Sequence, residues 1–229
     1  MRNLGFNLLK AVCAASAFGA TALCLAADRQ VEELLSHMRV AYATNRSVTY
    51  TTQSHFGQVD FTSSFTYQNP NKIRVLISSP NSPAMKTSLI QISDGKRMNV
   101  KLPNSMDFAE KAFSVQGFEQ QLPVNLESLC FFDWEQQLST APGKNMEHST
   151  FQLETNQPWN GRSWTVLVET APRSRVVCRY YVDPKTYFIW RTVVKPMQGG
   201  NPLDASDCQI TKLTPGAKVD SSDFHIVHV

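Results

Sequence analysis

Five stretches of this chain alternate apolar with polar or mixed residues: Phe61 to Tyr67, Lys72 to Ile77, Arg97 to Leu102, Trp164 to Val168 and Val176 to Val182. Turn-forming residues punctuate them, at Asn69-Pro70-Asn71, Ser93-Asp94-Gly95-Lys96 and Asp183-Pro184-Lys185. Period-two alternation with such punctuation reads as antiparallel strands that hide one face. The hidden face is read as carrying Phe61, Phe65, Tyr67, Trp164, Tyr180 and Trp190. An aromatic surface of this kind needs apolar cover, from a core or from a ligand. Periodicity alone does not separate the two.

The first 27 residues read as an export signal outside the fold. Arg2 and Lys10 make a short positive region, and Ala11 to Ala26 is apolar but too short to span a bilayer. Leu25-Ala26-Ala27 is a small-residue cleavage pattern ahead of Asp28. Cys24 invites a lipoprotein reading, but Leu23 stands where lipid attachment wants a small residue, so ordinary cleavage is favoured over a retained anchor. Residues 28–229 then form one domain with room for a sizeable core. Removing Arg2 and Lys10 from the 22 basic residues leaves 20 against 19 acidic ones. With charge this balanced and no basic run, nucleic-acid binding is not expected.

Three cysteines follow the signal. Export to an oxidising compartment makes a disulfide plausible. Cys178 and Cys208 fall in expected strands and are the better pair, with Cys130 left over in an expected helix. Buried free thiols are the alternative.

Along the chain, Asp28 to Thr44 reads as a helix, because Val31, Leu34, Leu35, Met38, Ala41 and Tyr42 share a stripe. Strands are expected near 47–54, 58–67, 72–78, 86–93 and 96–102. The alternation then lapses. Asp107 to Lys111 reads as a short helix and Asn125 to Leu138 as a longer one, with Phe131, Phe132 and Trp134 widening its apolar surface. Six more strands follow, near 150–155, 162–170, 175–183, 186–195, 207–213 and 223–228. The expected fold is α+β: one antiparallel sheet of about eleven strands, curled into a half-open barrel, with helices covering its concave face.

Catalytic motifs are missing. The chain has no nucleophile elbow, no His-Glu-x-x-His, no Gly-rich phosphate loop and no Cys-x-x-Cys. Its five histidines are dispersed, and only His225 and His228 have metal-ligand spacing, three apart in an expected strand that would point them to opposite faces. Neither an enzyme nor a metal or cofactor site is expected.

Four segments resemble the superfamily of the periplasmic lipoprotein carrier LolA, which includes LolB and the sensor RseB. Asn69-Pro70-Asn71-Lys72-Ile73-Arg74 is similar to a family segment that opens a strand. Ile92-Ser93-Asp94-Gly95-Lys96 and Tyr181-Val182-Asp183-Pro184-Lys185-Thr186 are similar to two family hairpins. Ile210 to Leu213 with Val219 to Phe224 resembles the family's ending. The segments occur in family order over nearly the whole chain, although Val75 stands where the family has tryptophan.

The resemblance implies a monomeric periplasmic carrier that shelters acyl chains of lipoproteins or other amphipathic lipids. Membrane-bound donor and acceptor proteins are its implied partners. Arg74 matches the family arginine that helps hold the lid closed, and the helix with Phe131, Phe132 and Trp134 would be that lid. The alternative within the superfamily is an envelope-stress sensor of RseB type.

Overall fold

The computed structural model describes residues 29–56, 58–79, 81–82, 88–105, 107–114, 117–118 and 149–226. The expected helix 125–138, with Phe131, Phe132, Trp134 and Cys130, lies outside them, as does the signal segment.

Helix α1 covers residues 29–44. Among the described residues eleven strands follow: β1 Ser47–Phe56, β2 Val59–Gln68, β3 Lys72–Ser78, β4 Leu89–Asp94, β5 Arg97–Lys101, β6 Ala109–Ala112, β7 Thr150–Trp159, β8 Arg162–Ala171, β9 Val176–Val182, β10 Ile189–Pro196 and β11 Ser206–Pro215. They form one sheet in the order β6-β5-β4-β3-β2-β1-β11-β10-β9-β8-β7. The sheet is antiparallel throughout and does not close, because β6 and β7 are its two edges. A twisted sheet this wide curls into a half-barrel.

Directly opposed residues of an antiparallel pair share a face. Val48, Tyr50 and Thr52 of β1 oppose Tyr67, Phe65 and Ser63 of β2, which oppose Ile73, Val75 and Ile77 of β3. The same face continues through Ser93, Gln91 and Leu89 of β4 to Met98 and Val100 of β5. On the other flank it runs through Cys208, Thr192, Tyr180 and Leu167 in one cross-strand row. Val31, Leu34, Leu35, Met38 and Tyr42 of α1 join residues from both flanks in a single core cluster. This is therefore the inner face, wrapped around α1. Tyr42 anchors the helix: its hydroxyl accepts a hydrogen bond from the Ile189 amide at 3.3 Å, and its ring meets Phe188 edge-on at 5.1 Å.

Two elements differ from expectation. Residues 109–112 form edge strand β6 rather than a helix, held by pairing with β5 and by the ion pair of Arg97 with Glu110 at 2.9 Å. The C-terminal segment forms a 3-10 helix, Ser221–Phe224, where a strand was expected. Asp220 decides this by capping it, its carboxylate accepting the Ser222 amide at 2.9 Å. The segment crosses β3 and β4, where Asp223 pairs with Arg74, and Phe224 and Ile226 are buried. The strand number matches the expected eleven, but six precede the middle of the chain and five follow it.

The hairpin turns explain why the punctuation is where it is. Asp94 accepts the amides of Lys96 and Arg97, both at 2.8 Å, and Asp183 accepts that of Lys185 at 2.8 Å. Gly95 has φ +94°, and a Cβ there would come within 3.0 Å of the Pro70 carbonyl in the neighbouring β2–β3 turn. Gly216 also has positive φ, +66°, but open space around it. Both Gly→Ala exchanges carry backbone strain of about 1 kcal/mol, and only Gly95→Ala adds a clash between turns. Urea denaturation is expected to show Gly95→Ala as the more destabilised of the two. Equal losses would mean that the β2–β3 and β4–β5 turns do not support each other.

Candidate ligand-binding face

The structure divides the candidate lining residues between two faces. Phe65 and Tyr67 are 2% and 3% exposed on the inner face, and Phe65 stacks on Tyr50 at 4.5 Å with an 8° interplanar angle. Phe61 is partly buried against the same core. Tyr180 is buried beside Leu167, and its hydroxyl donates to Glu169 at 2.7 Å. Ser149 donates to the other Glu169 oxygen at 2.7 Å.

Trp164 requires correction. Thr165 and Leu167 oppose Val182 and Tyr180 on the inner face, so Trp164 and Val166 point outward with Tyr181. Trp164 is buried there in a second aromatic cluster. Its ring lies 5.0 Å from Trp159 and 6.4 Å from Trp190, and its Nε1 donates to the Trp159 carbonyl at 2.9 Å. Trp190 is the extra residue of a β10 bulge between Ile189 and Arg191, so it touches both the core and this cluster.

Sequence reasoning missed the rest of the outer cluster. The Arg191 guanidinium lies 5.3 Å from the Trp159 ring and 5.1 Å from that of Tyr181, and it ion-pairs with Asp207. Neighbouring Arg179 pairs with Glu154 at 2.5 Å. The carboxylates raise both guanidinium pKa values, hydrogen bonding being the leading cause. Trp159 closes the β7–β8 hairpin beside the turn residues Asn160 and Gly161, and that hairpin was the available signal. The grooves opening on this side are mixed in character. One of about 380 Å³ is bordered by Trp159, Trp164, Trp190 and Gln209, and one of about 560 Å³ by His55, Asp60, Asn81 and Asp207. Neither has the continuous apolar lining that an acyl chain needs.

Arg74 lies on the outer face, not the inner one. It opposes Thr66 and Ile92 there, between the inward Ile73 and Val75. Its guanidinium meets Asp223 at 3.1 Å. It ties down the C-terminal segment, and the lid expected at 125–138 lies outside the described residues. A partly exposed pair of this kind contributes under about 1 kcal/mol.

The disulfide pairing does not form. Cys178 and Cys208 are free thiols on β9 and β11, with β10 between them. Two strand spacings, about 9–10 Å, exceed the Cα separation that a disulfide spans. Burial pushes the Cys178 thiol up to about 11, helped by the Glu169 charge and opposed by the Tyr180 hydrogen bond. Burial likewise pushes Cys208 up to about 12, against hydrogen bonds from Ser54 and Thr52. Among the described residues no group of three or more His, Cys, Asp or Glu side chains could hold a metal ion.

Both raised thiols favour the folded state fully below the ordinary thiol pKa near 9, and that contribution is lost as pH rises through 11 and 12. Alkylation with iodoacetamide at pH 8, mapped by mass spectrometry, is expected to leave both residues unmodified in the folded protein and modify both in urea. Denaturant stability is expected to fall between pH 9 and pH 11. Rapid labelling of Cys208 in the folded protein would contradict its burial.

No family model matches the sequence, and no curated protein matches it either. Solved structures do. The chain is similar to Pseudomonas aeruginosa MucB, solved as a MucA/MucB complex, with 14% identity and a TM-score of 0.51 over 85% of this chain and 60% of that one. The chain thus spans about 60% of the length of MucB. It is also similar to an uncharacterised conserved protein from Thermus thermophilus, with 9% identity and a TM-score of 0.54 over 85% of this chain and 92% of that one. A domain from Vibrio parahaemolyticus described as a putative outer membrane lipoprotein-sorting protein aligns over 84% of this chain and 96% of its own, at 12% identity and a TM-score of 0.41. With MucB and the Thermus thermophilus protein the chain shares its fold, a curled, unclosed antiparallel half-barrel around a helix.

Proposed function

We propose that this protein is an exported, periplasmic binding protein that holds acylated amphipathic molecules non-covalently against the inner face of its half-barrel. The supporting observation is the inner face itself. Apolar and aromatic residues line it from Met98 of β5 to Leu167 of β8, in a sheet whose edges β6 and β7 do not meet. A closed barrel of this content would be filled by its own side chains. An unclosed one can admit a chain at the open edge.

The energetic argument is direct. Each methylene kept from water contributes about 0.8 kcal/mol, so a long acyl chain exposed in an aqueous compartment costs on the order of 10 kcal/mol. Crossing such a compartment requires an apolar shelter, and binding needs no covalent step. The protein is accordingly proposed to be a carrier and not an enzyme, and membrane-bound donor and acceptor proteins would load and unload it.

A second reading is an envelope regulatory module that binds a protein. The similarity to MucB favours it, since that protein is solved in complex with MucA. The two readings differ in what occupies the inner face.

Displacement of an 11-(dansylamino)undecanoic acid probe separates them. Saturable binding with a dissociation constant in the micromolar range or below is expected. Phe65→Leu is expected to weaken it severalfold, whereas Arg74→Ala, on the outer face, leaves it unchanged. A flat fluorescence signal across the solubility range of the probe would contradict the carrier reading.

A further inference from the structure

A sheet face that looks onto water is ordinarily polar. One end of the outer face departs from that rule, with Trp159, Trp164 and Tyr181 gathered there and Trp190 beside them. The β7–β8 hairpin builds this end. Asn160 and Gly161 both have positive φ, 51° and 70°, which gives the tight two-residue turn that sets Trp159 directly opposite Arg162. Opposed residues share a face, so Arg162 lies on the face of Trp159, and Trp164 follows on it two residues later.

Two openings meet here. The groove of about 380 Å³ is bordered by Trp159, Asn160, Trp190, Gln209 and Thr211. A second, of about 520 Å³, is lined by Ser163, Asp183 and Lys185. Arg162 and Trp164 border both, so the two are neighbouring parts of one surface. Structural duty accounts for Arg191, which packs on Trp159 and Tyr181 and pairs with Asp207. It does not account for Arg162 or Lys185. Both are exposed, and neither has an ion-pair partner among the described residues. Asp183 supplies the carboxylate of this lining, and it already accepts the Lys185 amide at 2.8 Å. The surface thus combines indole rings, amide and hydroxyl side chains, and two cations against one carboxylate.

We propose that this end of the outer face binds an acidic glycan, a chain of pyranose rings that carry carboxylates. A pyranose has an apolar C–H face and a rim of hydroxyls, so it needs aromatic surface and polar side chains together, which is the mixture found here. Trp159 and Trp190, both half-buried, offer ring surface for stacking, and Asn160, Gln209 and Thr211 offer hydrogen bonds to the hydroxyls. The planar fork of Arg162 matches a carboxylate, and Lys185 adds a second positive charge. A proline-rich peptide also docks in aromatic-lined grooves, but it has no use for two unpaired cations. The site lies on the opposite face from the one proposed to hold acyl chains and does not depend on that reading.

The experiment titrates trigalacturonic acid and maltotriose into the full chain, followed by tryptophan fluorescence and calorimetry. The two sugars have equal ring number and differ chiefly in charge. Physiological salt screens long-range attraction. Saturable binding of trigalacturonate with a sub-millimolar dissociation constant is expected, at least about tenfold tighter than that of maltotriose. Arg162→Gln removes the charge of an exposed side chain without touching the core, and is expected to abolish most of that preference. Lys185→Gln is expected to lower it severalfold, whereas Lys111→Gln, on the distant edge strand β6, keeps it. Equal weakening by Arg162→Gln and Lys111→Gln would mean diffuse charge attraction and would overturn the site. Equal affinity for the two sugars would overturn the selection for acid. Absence of binding by either sugar at millimolar concentration would overturn the proposal altogether, and octaproline binding in its place would assign the groove to a peptide.

Discussion

Cross-strand register is the constraint on which this structure depends. Most strands bury residues of one phase, and strand pairing adds those phases into a single inner surface. A slip of one residue in any strand would turn its inward set outward. Tight turns hold the register: Asp94 and Asp183 lock two hairpins through backbone amides, and Gly95 lets one turn lie against another. The inner face, its α1 filling and the open edge all follow from that alignment.

Most of the strands were legible in the sequence because alternation and turn chemistry agree there. The β2, β3 and α1 elements show the pattern cleanly. The failures have identifiable causes. Trp164-Thr165-Val166-Leu167-Val168 is apolar in both phases, so alternation cannot say which residues point inward, and pairing of Leu167 with Tyr180 decides it. Arg74 resembles a lid residue by motif, yet its neighbours Ile73 and Val75 are the inward pair. The edge strand β6 is four residues long and has no alternation to read; only β5 makes it a strand. The ending Phe224-His225-Ile226 looks like a strand, but the Asp220 cap makes its start helical. Cys178 and Cys208 are close in chain order among strands and remain separated by β10.

The two faces divide the aromatic residues by role. Tyr50, Phe65 and Tyr67 join α1 inside, where burial of a Phe-sized side chain is worth several kcal/mol. Trp159, Trp164 and Tyr181 form a separate outer cluster around Arg191, which braces the β7–β8 hairpin next to the open edge. The outer cluster thereby stabilises an edge that cannot gain stability from closing the barrel.

The most direct test of the central claim is native mass spectrometry of the protein isolated gently from the cell envelope. The account predicts a population heavier than the processed chain, with the extra mass released on organic extraction and identified as acylated lipid or lipidated protein. A single species at the bare mass, under conditions that preserve non-covalent lipid complexes of a control carrier, would contradict it.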